Sequence, residues 1–351
     1  MVAPHAHLPL ISALTTLYSL LVDLRHAPAS KLIKPSAKYD GRHPPHSINA
    51  AAARLHGLSD AAVDLAYCIP YLTEDYTYIF METEAISYLR DSVAGALEKD
   101  PKADMSHLVE VDDPLGEGMD GWDYARDPTY QERTDLWEGR DVLLLTQGHV
   151  YGTELVYNLE KRTITSWYHF QPEHDDFDAV PAYTMTDTGN PLYVWIRDLL
   201  SLRNVALENH ILPPPEWPAN PELAHPWHML PAVQRWEWDE MVRDYDAKRD
   251  VAKVYVEYGW DARVLDDDAF PQDEESREAE GPIWEQLERA RLWATQHFRG
   301  DEFEAYRETW LEEMYTRRQL ERQESKELFE SRTTPGQRNE QQHDDHEHDE
   351  L

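Results

Sequence analysis

Five residues in one short stretch could do metal chemistry. His169 is followed by His174, Asp175, Asp176 and Asp178, an assembly of imidazole and carboxylate donors. Such donors suit a divalent cation of the Zn²⁺ or Mn²⁺ kind. A metal-dependent enzyme built on His169, His174 and Asp176 is therefore the alternative to a non-catalytic reading of the chain. The spacing fits no established zinc signature, and His-Asp-Asp runs also occur as solvated loop. His225 and His228 flank Trp227 and read as packing residues, whereas His343, His346 and His348 could bind a divalent ion weakly, as His-rich tails do.

Other chemical signatures fail on context. Gly116-Glu117-Gly118-Met119-Asp120-Gly121 spells G-x-G-x-x-G. A dinucleotide site needs that run directly after a strand and opening a helix, with its backbone N–H groups facing pyrophosphate. Asp112, Asp113 and Pro114 stand before it, and Glu117 and Asp120 would oppose the phosphates, so it reads as an acidic glycine loop. No Walker A run, G-x-S-x-G or H-E-x-x-H occurs in the chain. The single cysteine, Cys68, excludes an intrachain disulfide. It sits in the apolar run 63–69 and reads as a small buried hydrophobe. With 68 acidic side chains, no particular carboxylate pair stands out as an acid–base couple. The expectation is no cofactor and no enzyme.

Charge bears on partners. The 68 acidic residues face 33 Lys and Arg, a net −35 over 351 residues. Nucleic-acid binding runs on neutralising phosphates with basic side chains, so this composition argues against nucleic acid and anionic membrane alike. It would attract and steer a basic protein. Aromatic content (12 Trp, 19 Tyr, 7 Phe) supplies a core that disordered chains lack.

The chain carries two conflicting addresses. It ends His348-Asp349-Glu350-Leu351, an endoplasmic-reticulum retention tetrapeptide that is read only in the secretory pathway. Residues 8–22 are apolar and Ala27-Pro28-Ala29 resembles a cleavage site, but no Lys or Arg precedes the run. The stretch fits an amphipathic helix better, because Leu10, Leu14, Leu17 and Leu21 recur at steps of three and four. The favoured address is cytosolic or nuclear, with the reticulum lumen as the alternative. No apolar run reaches the roughly 20 residues a bilayer requires.

Elements follow from periodicity. After a Pro- and His-rich connector (27–47), helices are expected over 48–56, ending at Gly57, and from Ser59 to Pro70. Residues 76–81 read as a strand and 84–97 as a helix. Runs 142–146, 153–158 and 163–167, joined by tight turns, predict an antiparallel meander. Asn190-Pro191 starts a helix carrying Leu192 to Val205. Beyond the prolines of 213–231 the pattern is helical. Asp250 is expected to cap a helix ending at Gly259, and Pro282 to begin one with Ile283, Leu287, Ala290 and Ala294 on its buried face. A last helix is lined by Phe303, Tyr306, Trp310 and Met314.

The resulting expectation is an α+β fold, an antiparallel meander sheet backed by helices and followed by a helical C-terminal extension. Its parts are an N-terminal helical segment packing on the core (1–57), the core (58–212) with an acidic insert (99–139), a Pro-rich linker (213–231), the helical extension (232–332) and a disordered acidic, His-rich tail (333–351).

The order of elements carries a resemblance. A helix runs into Ile69-Pro70-Tyr71-Leu72, the meander follows, and a closing helix contains Trp195-Ile196. Over residues 58–208 this resembles the SUKH superfamily, which includes fungal regulators of cell-wall synthesis and bacterial immunity proteins. It is most similar to a fungal branch with a helical extension, here marked by Tyr258-Gly259-Trp260. The resemblance implies an antiparallel sheet backed by helices and a non-enzymatic scaffold that engages other proteins. The immunity branch neutralises toxins, many of them nucleases. The acidic insert departs from the family pattern.

Overall fold

A leucine stripe sets the first helix. In a computed structural model, α1 spans Leu8–Asp23 and buries Leu10, Leu14, Leu17 and Leu21 to 1% exposure or less. Each such burial contributes about 1.5–3 kcal/mol. The structure describes residues 4–73, 78–80, 82–110, 116, 121–122, 139–148, 152–168, 181–207, 210–212, 250–265 and 281–307, with isolated residues from 309 to 323. Residues 1–300 form one unit and 301–351 a second.

After α1, β1 (Leu32–Ile33) leads to α2 (Ala50–Leu55) and α3 (Asp60–Ala66). Both helices start on side-chain caps: Asn49 Oδ1 accepts the Ala52 N–H at 3.1 Å, and Ser59 Oγ that of Ala62 at 3.2 Å. Gly57, at φ +78°, turns the chain between them. Strand β2 (Tyr71–Leu72) pairs antiparallel with β1.

Strands β3 (Tyr78–Phe80) and β4 (Thr83–Ala85) follow, then α4 (Asp91–Lys99). Here the expected helix from Glu84 begins seven residues late. Thr83, Glu84 and Ala85 pair with residues 146–148, the Ile86 N–H reaches Leu145 O at 3.1 Å, and Tyr88 Oη donates to Leu144 O at 2.7 Å. Long-range strand pairing outweighs the local helical pattern at these residues.

The meander forms from β5 (Val142–Leu144), β6 (Thr146–Gly148), β7 (Thr153–Asn158), β8 (Thr163–Tyr168) and a further strand, β9 (Ala182–Thr184). The expected run 142–146 divides at Leu145. Its first half joins the sheet β5-β7-β8-β9 and its second the sheet β3-β4-β6, with every pair antiparallel. The buried Thr146 hydroxyl stitches the division, donating to Thr153 O at 2.8 Å and accepting from the Leu155 N–H at 2.7 Å.

Asn190 caps α5 (Pro191–Leu200), its Oδ1 accepting the Leu192 N–H at 3.0 Å. That helix is shorter than the apolar run. Leu202 adopts φ +55°, and Val205 belongs to β10 (Val205–Leu207), paired with β11 (His210–Leu212). Residues 250–257 are helical, Asp250 included, and turn at Gly259 (φ +95°). Helix α6 (Ile283–Thr295) buries Ile283, Leu287, Ala290 and Ala294, the expected face. Residues 300–307 are helical. Trp310 and Met314, the linker 213–231 and the tail 333–351 lie outside the described residues.

The fold is thus α+β, antiparallel sheets with helices against them and a helical C-terminal region. Helices α1, α5 and α6 pack on one another, and α5 also contacts β8. Phe80 stacks on Trp195 at 4.4 Å. Specific bonds join residues 250–299 to this core: Tyr255 Oη donates to Leu24 O at 2.7 Å, Trp260 Nε1 to Leu200 O at 3.0 Å, and Arg291 pairs with Asp23. Within the acidic insert Trp122 is fully buried and stacks on Tyr88 at 3.9 Å. Among the described residues no helix is long and apolar enough to cross a membrane.

Candidate ligand-binding cavity

The connector 27–47 builds the wall of a cavity. Residues 36–42 close on themselves: the Ser36 N–H reaches Arg42 O at 2.9 Å, the Gly41 N–H reaches Ser36 O at 3.1 Å, and Ser36 Oγ accepts the Lys38 N–H at 3.2 Å. The reversal needs two left-handed residues in succession, Asp40 (φ +56°) and Gly41 (φ +74°), a conformation glycine adopts without a steric penalty. Arg42 then pins the loop to α3 through Asp64, 2.5 Å away.

His43 follows and lines the cavity, 2% exposed. Its backbone N–H donates to Tyr67 O and its Nε2 to Ile69 O, both at 2.8 Å, and its ring lies 5.1 Å from that of Tyr71. Donation from Nε2 leaves Nδ1 as a bare acceptor. Burial pulls the imidazole down to about 4, against the Ile69 bond, so the ring is neutral at physiological pH. Nδ1 of His43 has no hydrogen-bond partner among the described residues, nor has the buried hydroxyl of Tyr39. Buried polar atoms without partners are rare and costly.

The opposite wall comes from β1 and from the end of α4. Ile33 and Leu97 supply buried apolar surface, and the turn Pro101–Ala103 closes one side, held by Asp100 Oδ1 accepting the Lys102 N–H at 2.9 Å. Glu98 joins the walls, pairing with Lys31 at 3.1 Å and accepting from Thr73 Oγ1 at 2.6 Å.

The cavity volume is about 320 Å³, at the small end of ligand pockets. Its charge runs against that of the chain. Lys34, Lys38 and Lys102 line it, and no carboxylate does among the described residues. All three lysines are exposed at its rim. Lys34 Nζ donates to Ser19 Oγ at 3.0 Å, and Lys38 lies 3.9 Å from the exposed Asp104, a weakly bound partner in water. The arrangement offers an apolar wall and lysines at the mouth, with the two unpartnered atoms of Tyr39 and His43 buried within its walls.

The residues singled out by sequence fall elsewhere. His169, His174 and Asp176, with Asp175 and Asp178, lie outside the described residues, as do His225, His228, His343, His346 and the tetrapeptide His348, Asp349, Glu350 and Leu351. Among the described residues no group of three or more His, Cys, Asp or Glu side chains could hold a metal. Of the glycine loop only Gly116 and Gly121 are described, and Gly121 sits so close to Ser87 O that a Cβ would lie 2.4 Å from it. Cys68 is buried and its thiol is pushed up by burial, against the nearby Arg42 charge, as suits a packing residue.

Sequence reasoning passed over the cavity because its cations are split between residues 34–38 and 102. The one local signal was Lys31, Lys34 and Lys38 recurring in a chain otherwise dominated by acids. Compared with protein-family profiles, curated proteins and solved structures, the chain gives no match.

Proposed function

We propose that this chain is a non-enzymatic protein-interaction or regulatory module that holds a basic protein partner through its acidic surface. The observation that carries the reading is charge: 68 acidic against 33 basic residues. A field of that sign accelerates encounter with a cationic partner and repels polyanions, so nucleic acid and anionic bilayers are not its targets. The likeness of residues 58–208 to the SUKH superfamily supports the same reading, since its members are generally scaffolds. The address we favour is cytosol or nucleus, with the reticulum lumen as the alternative that His348–Leu351 would supply.

The test is affinity capture with the full chain at about 50 mM and about 300 mM salt, which shortens the screening length roughly twofold. The expected result is a reproducible partner of high isoelectric point whose recovery falls steeply at the higher salt. Recovery of nothing above control, or of partners indifferent to salt, overturns the proposal.

A further inference from the structure

We propose that the buried guanidinium of Arg90, the residue before α4, is a binding site for a small oxyanion, the carboxylate or phosphate group of a soluble ligand. The backbone sets its position. Ile48 and Leu89 form an antiparallel bridge, and the Arg90 N–H donates to Ser47 O at 3.0 Å. Residues opposite one another in such a pair carry their side chains on one face, so Arg90 and Ser47 share one. At the end of α3, burial pushes the Tyr67 hydroxyl up, and the charges of Arg90 and Arg42 pull against it. Arg42 is already paired with Asp64. Arg90 has no such counterpart. It is 7% exposed, and among the described residues no carboxylate or other acceptor bonds its guanidinium. Asp91, next in sequence, is exposed.

A guanidinium keeps its charge in any protein, and a buried charge without a counter-charge is costly to hold. Of its three nitrogens only Nε is sealed from solvent. The unpartnered Ser47 hydroxyl is sealed as well, so it adds to that cost and does not touch the ligand. Contact falls to the outer Nη1–Nη2 edge, whose two parallel N–H groups match the oxygens of a carboxylate or phosphate. The positive end of α4, which carries no side-chain cap, favours the same charge. The field of the whole chain, at −35, opposes it, so the anion is held by contact and not by steering.

The experiment uses the full chain with sodium phosphate, sulfate or acetate, each at about 50 mM and brought to equal ionic strength with sodium chloride. Thermal melting and calorimetry read the binding. Phosphate and sulfate stabilise many proteins by exclusion from their surfaces, so wild type is judged against variants in the same salt. At least one oxyanion binds wild type with a Kd of about 10 mM or tighter and raises its melting temperature by about 2 °C over chloride. Preference for phosphate or for acetate identifies the head group, and either supports the proposal. Arg90→Met removes the calorimetric binding and the gain in melting temperature. Arg90→Lys keeps the charge but loses the two-pronged edge, and binds at least about threefold more weakly. If Arg90→Met does not fold, the lysine variant carries the test. The proposal is overturned if no oxyanion exceeds chloride, if the gain persists in Arg90→Met, or if Arg90→Lys binds as wild type does.

Discussion

Arg291 of α6 closes an ion pair with Asp23 at the end of α1, 268 residues away, and at the same time grips Glu288 through Nη2 at 2.7 Å. Glu288 in turn accepts from Thr16 of α1 at 3.1 Å. Arg291 is the least exposed of the charged three, at 13%. Burial pushes the Asp23 carboxyl up despite Arg291, whereas at Glu288 burial is outweighed by the hydrogen bond and charge of Arg291 together with the Thr16 hydroxyl and Lys34, and the carboxyl is held low. Arg291→Ala should therefore cost about 2 kcal/mol, less than the loss of a fully buried pair because both acids stay partly solvated. Urea unfolding of Arg291→Ala, Asp23→Ala and the double variant measures this. Additive losses would show that the two residues are not coupled.

His43 should make stability depend on pH. Its folded value, pulled to about 4, lies below the unfolded 6.5. Between those values the unfolded chain binds the extra proton, so stability is complete above about 6.5 and declines as pH falls toward 4. Roughly 3 kcal/mol is at stake across that window. His7, lowered by burial and by Arg162, adds in the same direction. Denaturation of wild type and His43→Gln at successive pH values should show a shallower slope in the variant. Parallel curves would refute the assignment.

How much of this was readable from sequence differs by element. Leu10, Leu14, Leu17 and Leu21 declared their helix because one side of it meets only protein. Asn190, Ser59 and Gly57 declared boundaries because capping and left-handed turns are local chemistry. The stretch 84–90 misled, since its pairing partner, residues 146–148, lies some sixty positions further on and no local window contains it. Leu202 and Val205 continued the apolar run of α5 but belong to a turn and a strand. The cavity was illegible for the same reason: Lys34 and Lys102 become neighbours only through the contacts of α4 with β1.

Trp122 anchors part of the acidic insert and should be expensive to remove. It is fully buried and stacks on Tyr88, whose hydroxyl in turn holds β5. Trp122→Ala should lose about 3–5 kcal/mol, measured as a lower denaturant midpoint. A loss under about 1 kcal/mol would mean that the stack does not support the fold.

Asn190 does two tasks at once. Its Oδ1 caps α5, and its Nδ2 donates to Thr184 O of β9 at 3.2 Å. Asn190→Asp keeps the cap and loses the donor, whereas Asn190→Ala loses both. The alanine variant should be destabilised by about 2 kcal/mol and the aspartate variant by less. Equal losses in thermal melts would leave the cap without a measurable contribution.

For partner binding, Trp293 is the side chain to remove. It is 61% exposed on α6, beside Leu292 at 55%, and exposed tryptophan is a common anchor of interfaces. Trp293→Ala should leave the melting temperature unchanged and lower recovery of the salt-sensitive partner at least about threefold. Unaltered recovery would place the contact elsewhere.

The packing of α1 against α6 also sets a schedule for synthesis. At about 5–20 residues per second, the ribosome makes Arg291 on the order of 10–50 s after Asp23. For that interval the leucine stripe of α1 lacks the helix that covers part of it. The nascent protein is therefore a natural client for chaperones that shield exposed leucine surfaces, and a truncation before residue 283 would leave that need permanent.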